Sequence, residues 1–237
     1  MKIKTTFAAL GTAAFLVSGA GAALADGHTK YAEPEHYGWE WYVELLAGGP
    51  IPNEYDSTVT GLGSIEYDPD SAFGVVGLIG IQFNENWRAD YSTSYATAGD
   101  GVATGPLIGV VPHSGDVDAW TFLWNVYYEF NDVFDIPLTP WVGAGIGFTV
   151  FDYNNLGAAV APAFVINDSD TAFTGAFHAG FDYELTPNVD LVGRYALILI
   201  DSHDVITTTG LNVAADSTVE NAFYGGVRIK LGPLPLR

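Results

Sequence analysis

Trp120-Thr121-Phe122-Leu123-Trp124-Asn125-Val126-Tyr127-Tyr128-Glu129-Phe130 alternates along its whole length. One parity holds Trp120, Phe122, Trp124, Val126, Tyr128 and Phe130; the other holds Thr121, Leu123, Asn125, Tyr127 and Glu129. Successive side chains of a strand point to opposite faces, so the stretch predicts a strand with one apolar, largely aromatic face and one mixed, polar face. In a water-soluble barrel the aromatic face would have to fill the interior, which in a small barrel is only just wide enough for side chains. Facing lipid, the same side chains need no such room. The expectation is a barrel with its apolar face outward.

The pattern recurs on both sides of this stretch. In 139–151, Val142, Ala144, Ile146, Phe148 and Val150 alternate with Gly143, Gly145, Gly147 and Thr149. In 171–184, Phe173, Phe177, Phe181 and Tyr183 alternate with Thr174, His178, Asp182 and Glu184. Eight such segments are predicted: 38–48, 73–84, 87–97, 117–130, 139–151, 171–184, 188–201 and 219–231. Each has at least the nine or so residues that a tilted strand needs to cross a bilayer. The connections alternate in length. Residues 49–72, 98–116, 152–170 and 202–218 are long, whereas 84–86, 131–138 and 185–187 are short. Membrane barrels sort their loops in this way. The fold class expected is all-β, an eight-stranded antiparallel transmembrane β-barrel with long outer loops and short periplasmic turns.

The N-terminus reads as an export signal. Lys2 and Lys4 precede an apolar run from Phe7 to Val17, and Ala23-Leu24-Ala25 has the small-residue cleavage pattern. The run is too short to span a bilayer as a helix. Residues 1–25 are therefore expected to be removed, 26–37 to form a flexible periplasmic lead-in, 38–231 the barrel, and 232–237 a C-terminal tail.

Composition narrows the function. The chain has 237 residues, 49% of them hydrophobic and 14% aromatic, and no cysteine. Thiolate metal sites and cysteine chemistry are excluded. Eight basic residues face 28 acidic ones, which excludes nucleic-acid binding, since that needs a basic surface. Acidic loops are expected to be solvated.

Aromatic residues gather where strands should meet headgroups. The periplasmic girdle is assigned to Trp39, Phe83, Trp87, Phe130, Trp141 and Tyr183, and the outer girdle to Phe73, Tyr95, Trp120, Phe148 and Phe173. Charges fall on the other parity. Arg88, Arg194, Arg228 and Lys230 point inward, with Glu44, Asp90, Glu129, Asp182, Glu184 and Asp190. Buried charges are costly unless paired, so a lumenal ion-pair network is expected that closes the bore, with Arg194 and Glu129 as a coupled pair. A charge placed at Phe122 is expected to be damaging and Asn125→Asp to be mild, provided it leaves the network undisturbed.

Other chemistry is weaker. His178 and Asp182 share a face at spacing four but lie too far apart for a pair, so His178 reads as a hydrogen-bonded lumen histidine. His113-Ser114 and Ser202-His203-Asp204 contain triad residue types in or beside loops, without the geometry that defines a triad. Asp68-Pro69-Asp70 and Asp168-Ser169-Asp170 open like calcium loops but lack the later ligands. His28, Glu33, Glu35 and His36 offer at most weak metal ligands. No enzyme activity, cofactor or metal is expected.

Two stretches carry a family resemblance. Thr139-Pro140-Trp141-Val142-Gly143-Ala144-Gly145-Ile146-Gly147, and Ala179 to Asn188 continuing to Gly193-Arg194-Tyr195, resemble the small porin-like outer-membrane proteins of Gram-negative bacteria with an OmpA-type or opacity-protein-like barrel. The likeness covers mainly 139–231. Tyr224 to Leu231 resembles the C-terminal signal read by the barrel-assembly machinery, with Leu231 where the family usually has Phe or Trp. The resemblance implies integration in the outer membrane, with membrane lipid, lipopolysaccharide and the assembly machinery as partners. It is compatible with a monomer and carries no catalytic residues. The leading expectation is a structural or surface-interaction role; the alternative is a narrow porin passing small ions or solutes.

Overall fold

The computed structural model describes residues 39–51, 54–61, 63–69, 72–131, 133–134, 136–157 and 165–233. The expected signal segment, the lead-in with His28, Glu33, Glu35 and His36, Asp70 and the last four residues lie outside these.

Among the described residues there are thirteen strands: β1 (Glu40–Pro50), β2 (Tyr55–Val59), β3 (Gly63–Pro69), β4 (Ala72–Gln82), β5 (Trp87–Ala98), β6 (Gly101–Gly105), β7 (Gly109–Glu129), β8 (Leu138–Gly157), β9 (Ser169–Thr186), β10 (Val189–Ile200), β11 (His203–Ile206), β12 (Asn212–Ala215) and β13 (Thr218–Pro233). Eight of them close a ring in which every neighbour is antiparallel: β1, β4, β5, β7, β8, β9, β10, β13 and back to β1. Closure gives every strand two hydrogen-bonded neighbours, which is what a bilayer interior demands of backbone groups.

Parity sorts the two faces. On β7, Leu123, Asn125, Tyr127 and Glu129 are buried, while Trp124 and Val126 are exposed. On β9, Ala172, Thr174, Ala176, His178 and Asp182 are buried, while Phe173, Phe177 and Phe181 are exposed. Inward glycines make room for bulky neighbours. A β-carbon at Gly143 would overlap the Tyr127 ring, one at Gly180 the Trp141 ring, and one at Gly80 the Tyr42 ring. The glycine stretch of β8 is thus a steric requirement of the interior.

The long connections differ from the expectation of solvated loops. They continue as a second sheet in the order β11, β12, β2, β3, β6 and the first part of β7. Isolated bridges Leu156–Ile166 and Ile166–Thr207 link the end of β8 towards β11. The barrel wall therefore carries on past the strand ends as a structured extension. Inside it Val59, Val205 and Val213 pack with Ile65, Tyr153 and Ile166. This apolar cluster explains the order: alternation continues through the loops, and burial of these side chains fixes their register. At the other end, β13 runs to Pro233, paired with Glu40 across a register shift at Trp41/Tyr42. Gly232 and Pro233, which the sequence reading assigns to the tail, are paired with Trp41 and Glu40 of β1.

Candidate functional site

The barrel interior is built in layers. The lowest described layer is charged. Glu44 of β1 accepts three guanidinium groups: Arg228 Nε at 2.7 Å, Arg194 Nη2 at 2.8 Å and Arg88 Nη1 at 3.2 Å. Glu129 lies 3.1 Å from Arg88 Nε and 3.4 Å from Arg228 Nη1. Asp182 lies 2.6 Å from Arg228 Nη1 and 3.6 Å from Arg88 Nη1. Lys230 Nζ sits 3.0 Å from Asp190, and 3.8 Å from the half-exposed Glu184. All three arginines, Glu44, Glu129, Asp182 and Asp190 are buried. Charge-assisted contacts of this kind are needed to hold charges away from water.

The expected set is brought together with two differences. Arg194 reaches Glu44 and makes no ion pair with Glu129 among the described residues. Asp90 makes no ion pair among the described residues and is held by neutral donors: Asn125 Nδ2 at 2.7 Å, Tyr42 OH at 3.2 Å and Tyr127 OH at 3.5 Å. Several partners went unnamed at the level of sequence. Gln82 Nε2 donates to Glu129 at 2.8 Å, and the Arg88 guanidinium lies 4.6 Å from the Tyr127 ring and 4.8 Å from that of Trp141. The signal that finds them is the same parity, applied to every residue of the strand rather than to the charged ones.

Trp141 corrects the girdle assignment. It is 1% exposed, and its Nε1 donates to Asp182 at 2.9 Å inside the barrel. Its position in sequence suggested the membrane interface, but it shares parity with Gly143, Gly145 and Gly147, which point inward. The other girdle residues point outward. Trp39, Phe83, Trp87, Phe130, Tyr183, Phe73, Phe148 and Phe173 are exposed, and Tyr95 and Trp120 partly so. Several of them touch in pairs, such as Trp39 with Phe83 and Tyr95 with Trp120.

Above the charges the lumen becomes neutral, then apolar. His178 Nε2 pairs with Asn125 Oδ1 at 3.1 Å, so it is engaged by an amide rather than by Asp182. Thr121, Thr149 and Thr174 form a hydroxyl ladder across β7, β8 and β9, with spacings of 2.9 and 2.8 Å. Leu46, Val76, Phe151, Ala196, Ile198, Ile200 and Tyr224 belong to the apolar cluster of the interior.

The loop motifs have structural partners. His113 is buried and its ring centroid lies 4.1 Å from that of Tyr67. His203 stacks on Phe151, and its Nε2 hydrogen-bonds the Tyr153 hydroxyl at 2.7 Å. Burial lowers its pKa, opposed by the carboxylates of Asp170 and Asp204. Asp168 and Asp170 accept the backbone N–H groups of Ile206 and Asp204, each at 2.9 Å. This carboxylate pair satisfies strand β11. Among the described residues no group of three or more His, Cys, Asp or Glu side chains has the arrangement to hold a metal ion.

An outward aromatic band, a closed eight-strand ring and a charged interior are the design of an outer-membrane barrel. The outer membrane protein beta-barrel domain matches residues 11–227. The chain belongs to that family. Solved barrels of the outer membrane show the same fold. OprG from Pseudomonas aeruginosa has a TM-score of 0.63 at 16% identity, covering 83% of this chain and 97% of that one. AlkL, solved in lipid bilayers, has a TM-score of 0.52 at 15% identity over 90% of this chain and 99% of its own. A major outer membrane protein from Thermus thermophilus has 0.51 at 14% identity over 81% and 99%. No curated protein matches the sequence. Membership of the outer membrane protein beta-barrel family makes the outer membrane the location of this chain. Identities this low carry the fold alone.

Proposed function

We propose that the protein is an integral outer-membrane barrel with a structural or surface-interaction role, and that its bore is closed by the arginine–carboxylate layer. The observation that carries this reading is Glu44, one buried carboxylate on which arginines from three other strands converge. An eight-stranded barrel leaves little open bore, and here bulky charged and aromatic side chains occupy it. In this reading the polypeptide is exported by its N-terminal signal. The four long connections face out of the cell, the short turns face the periplasm, and the girdle residues other than Trp141 sit at the two headgroup levels. No catalytic role is proposed for any residue.

Planar-bilayer recording on the refolded full chain tests the closed bore. Wild type should show no steady conductance. Glu44→Gln or Arg194→Ala should raise ion leakage if the layer is a removable plug. A wild-type barrel that conducts steadily and selectively would make it a narrow porin instead.

A further inference from the structure

The lumen is not filled over its whole height. On β5 the inward side chains Arg88, Asp90 and Ser92 are buried. The next inward positions, Ser94, Ala96 and Ala98, are small and only half-buried. Its neighbour β7 shows the same change: Asn125, Leu123 and Thr121 are buried, and inward Ala119 is half-buried. A side chain that points into a closed ring and still keeps accessible surface faces a space. The ring therefore holds a chamber beyond the threonine ladder, on the side of the extension.

Across the ring from β7, strand β13 brings a carboxylate to this level. Glu220 shares its parity with Ala222 and Tyr224, which are buried inside. It accepts the Tyr55 hydroxyl at 3.0 Å and makes no ion pair among the described residues. Tyr55 lies on the face of Val59, Tyr67 on that of Ile65 and Tyr153 on that of Phe151, so the three rings point inward with these packed side chains. The Tyr55 and Tyr67 ring centroids are 6.2 Å apart. Burial and the Glu220 carboxylate hold the Tyr55 hydroxyl well above the usual tyrosine range. Burial, with Tyr67, Asp170 and Glu220, does the same for Tyr153. Both tyrosines are thus neutral, and Glu220 is the charge they share. The described basic side chains, Arg88, Arg194, Arg228 and Lys230, all belong to the charged layer at the other end of the lumen.

That charged layer shows what such a lining takes. Beside Glu44, the Arg88 guanidinium lies 4.6 Å from the Tyr127 ring and 4.8 Å from that of Trp141, and Arg228 lies 5.0 Å from the Tyr42 ring. Carboxylate and rings together hold a cation. The chamber repeats the carboxylate and the rings, and the described chain supplies no cation to them. We propose that the chamber is a binding site for a small organic cation, a quaternary or protonated amine, held by Glu220 and the rings of Tyr55, Tyr67 and Tyr153. Such an ion is drawn to aromatic faces. A calcium ion would ask for six or more oxygen ligands, and among the described residues no group of three or more His, Cys, Asp or Glu side chains is arranged for a metal.

The test is titration calorimetry on the full chain refolded in octyl glucoside micelles, which bring no charge and no ammonium group of their own. The probes are choline and its neutral isostere 3,3-dimethyl-1-butanol. Choline should bind at one site, and the alcohol should not compete with it. Glu220→Gln keeps an oxygen for the Tyr55 hydroxyl and should weaken choline binding about tenfold, the scale of one charged contact. Tyr153→Leu should weaken it several-fold by removing a ring. Glu66→Gln removes a carboxylate from the other face of β3 and should leave binding unchanged. The compact band on unheated gels checks that each variant is folded. Absence of choline binding to the folded wild type would overturn the proposal. So would equal binding of the alcohol, an unaltered affinity in Glu220→Gln, or an equal loss in Glu66→Gln, which would mark diffuse attraction to an acidic surface.

Discussion

Parity assigns charged residues to the lumen, but it does not say which of them touch, because partners are set by stagger between strands that sequence does not display. Arg194 pairs with Glu129 on the sequence pattern and meets Glu44 in the fold. Arg194→Ala should cost about 3–5 kcal/mol, since it leaves part of a buried ion-pair set uncompensated. In a double-mutant cycle with Glu44→Ala the losses should be strongly non-additive, whereas with Glu129→Ala they should come closer to additive. Urea titrations of the barrel in lipid vesicles measure both cycles, and equal coupling in the two would refute the assignment. Asn125 meets the exception attached to its expectation, because it touches a carboxylate of the lumenal set. Its side-chain amide donates to Asp90 at 2.7 Å and to Ser92 at 3.0 Å. Asn125→Asp would replace that donor with a second carboxylate beside Asp90, so it should be clearly destabilising rather than mild. Phe122→Arg should also be harmful, by about 2–4 kcal/mol for a cation near the bilayer midplane. Asn125→Ser, which adds no charge, should be the milder change at that position.

At the scale of the element, the eight barrel strands and their faces were legible, because lipid on one side and a packed lumen on the other both enforce a period of two. Trp141 is misplaced when its neighbourhood is read instead of its parity. The extension strands β2, β3, β6, β11 and β12 were not legible as strands. Their alternation is short, and their apolar residues Val59, Val205 and Val213 come from connections far apart in sequence. Asp168 and Asp170 hold β11 by accepting two backbone N–H groups. Asp168→Ala/Asp170→Ala should therefore raise amide exchange at Asp204 and Ile206 while leaving β9 within the barrel protected. His203 gives the same element a pH dependence. Its pKa is lowered by burial, with Asp170, Asp204 and the Asp201 backbone acting against the shift. The unfolded form then binds the proton more readily, so the contribution is present above the ordinary histidine value of about 6.5 and is lost as pH falls below it. Protection factors in β11 and β12 should decline with acidification, and His203→Gln should flatten that decline. A profile unchanged by the substitution would show that His203 is not the titrating group.

For the whole molecule, the alternation of long and short connections gives an orientation that can be tested on cells. An even number of strands puts both ends of the barrel on one side, and the tight connections at 84–86 and 187–188 are on that same side. In the proposed orientation the termini stay in the periplasm and the four long connections face outward. The fold also decides where a tag can go. Residues such as Asp56, Glu66 and Asp204 lie within paired ladders, and an insertion there would break the extension. The turns at Gly61, Leu107 and Gly210 lie outside the strands and are exposed. Epitope tags at those three turns should be detected on intact cells by antibody, with surface levels near those of the untagged protein. A tag beside Asn86 should be detected only after the outer membrane is permeabilised. Tags within the ladders should reduce the folded fraction, seen as loss of the compact band on unheated gels, whichever way the barrel is oriented. Labelling at Asn86 together with silence at Gly61, Leu107 and Gly210 would place the extension in the periplasm, and would take the surface-interaction role with it.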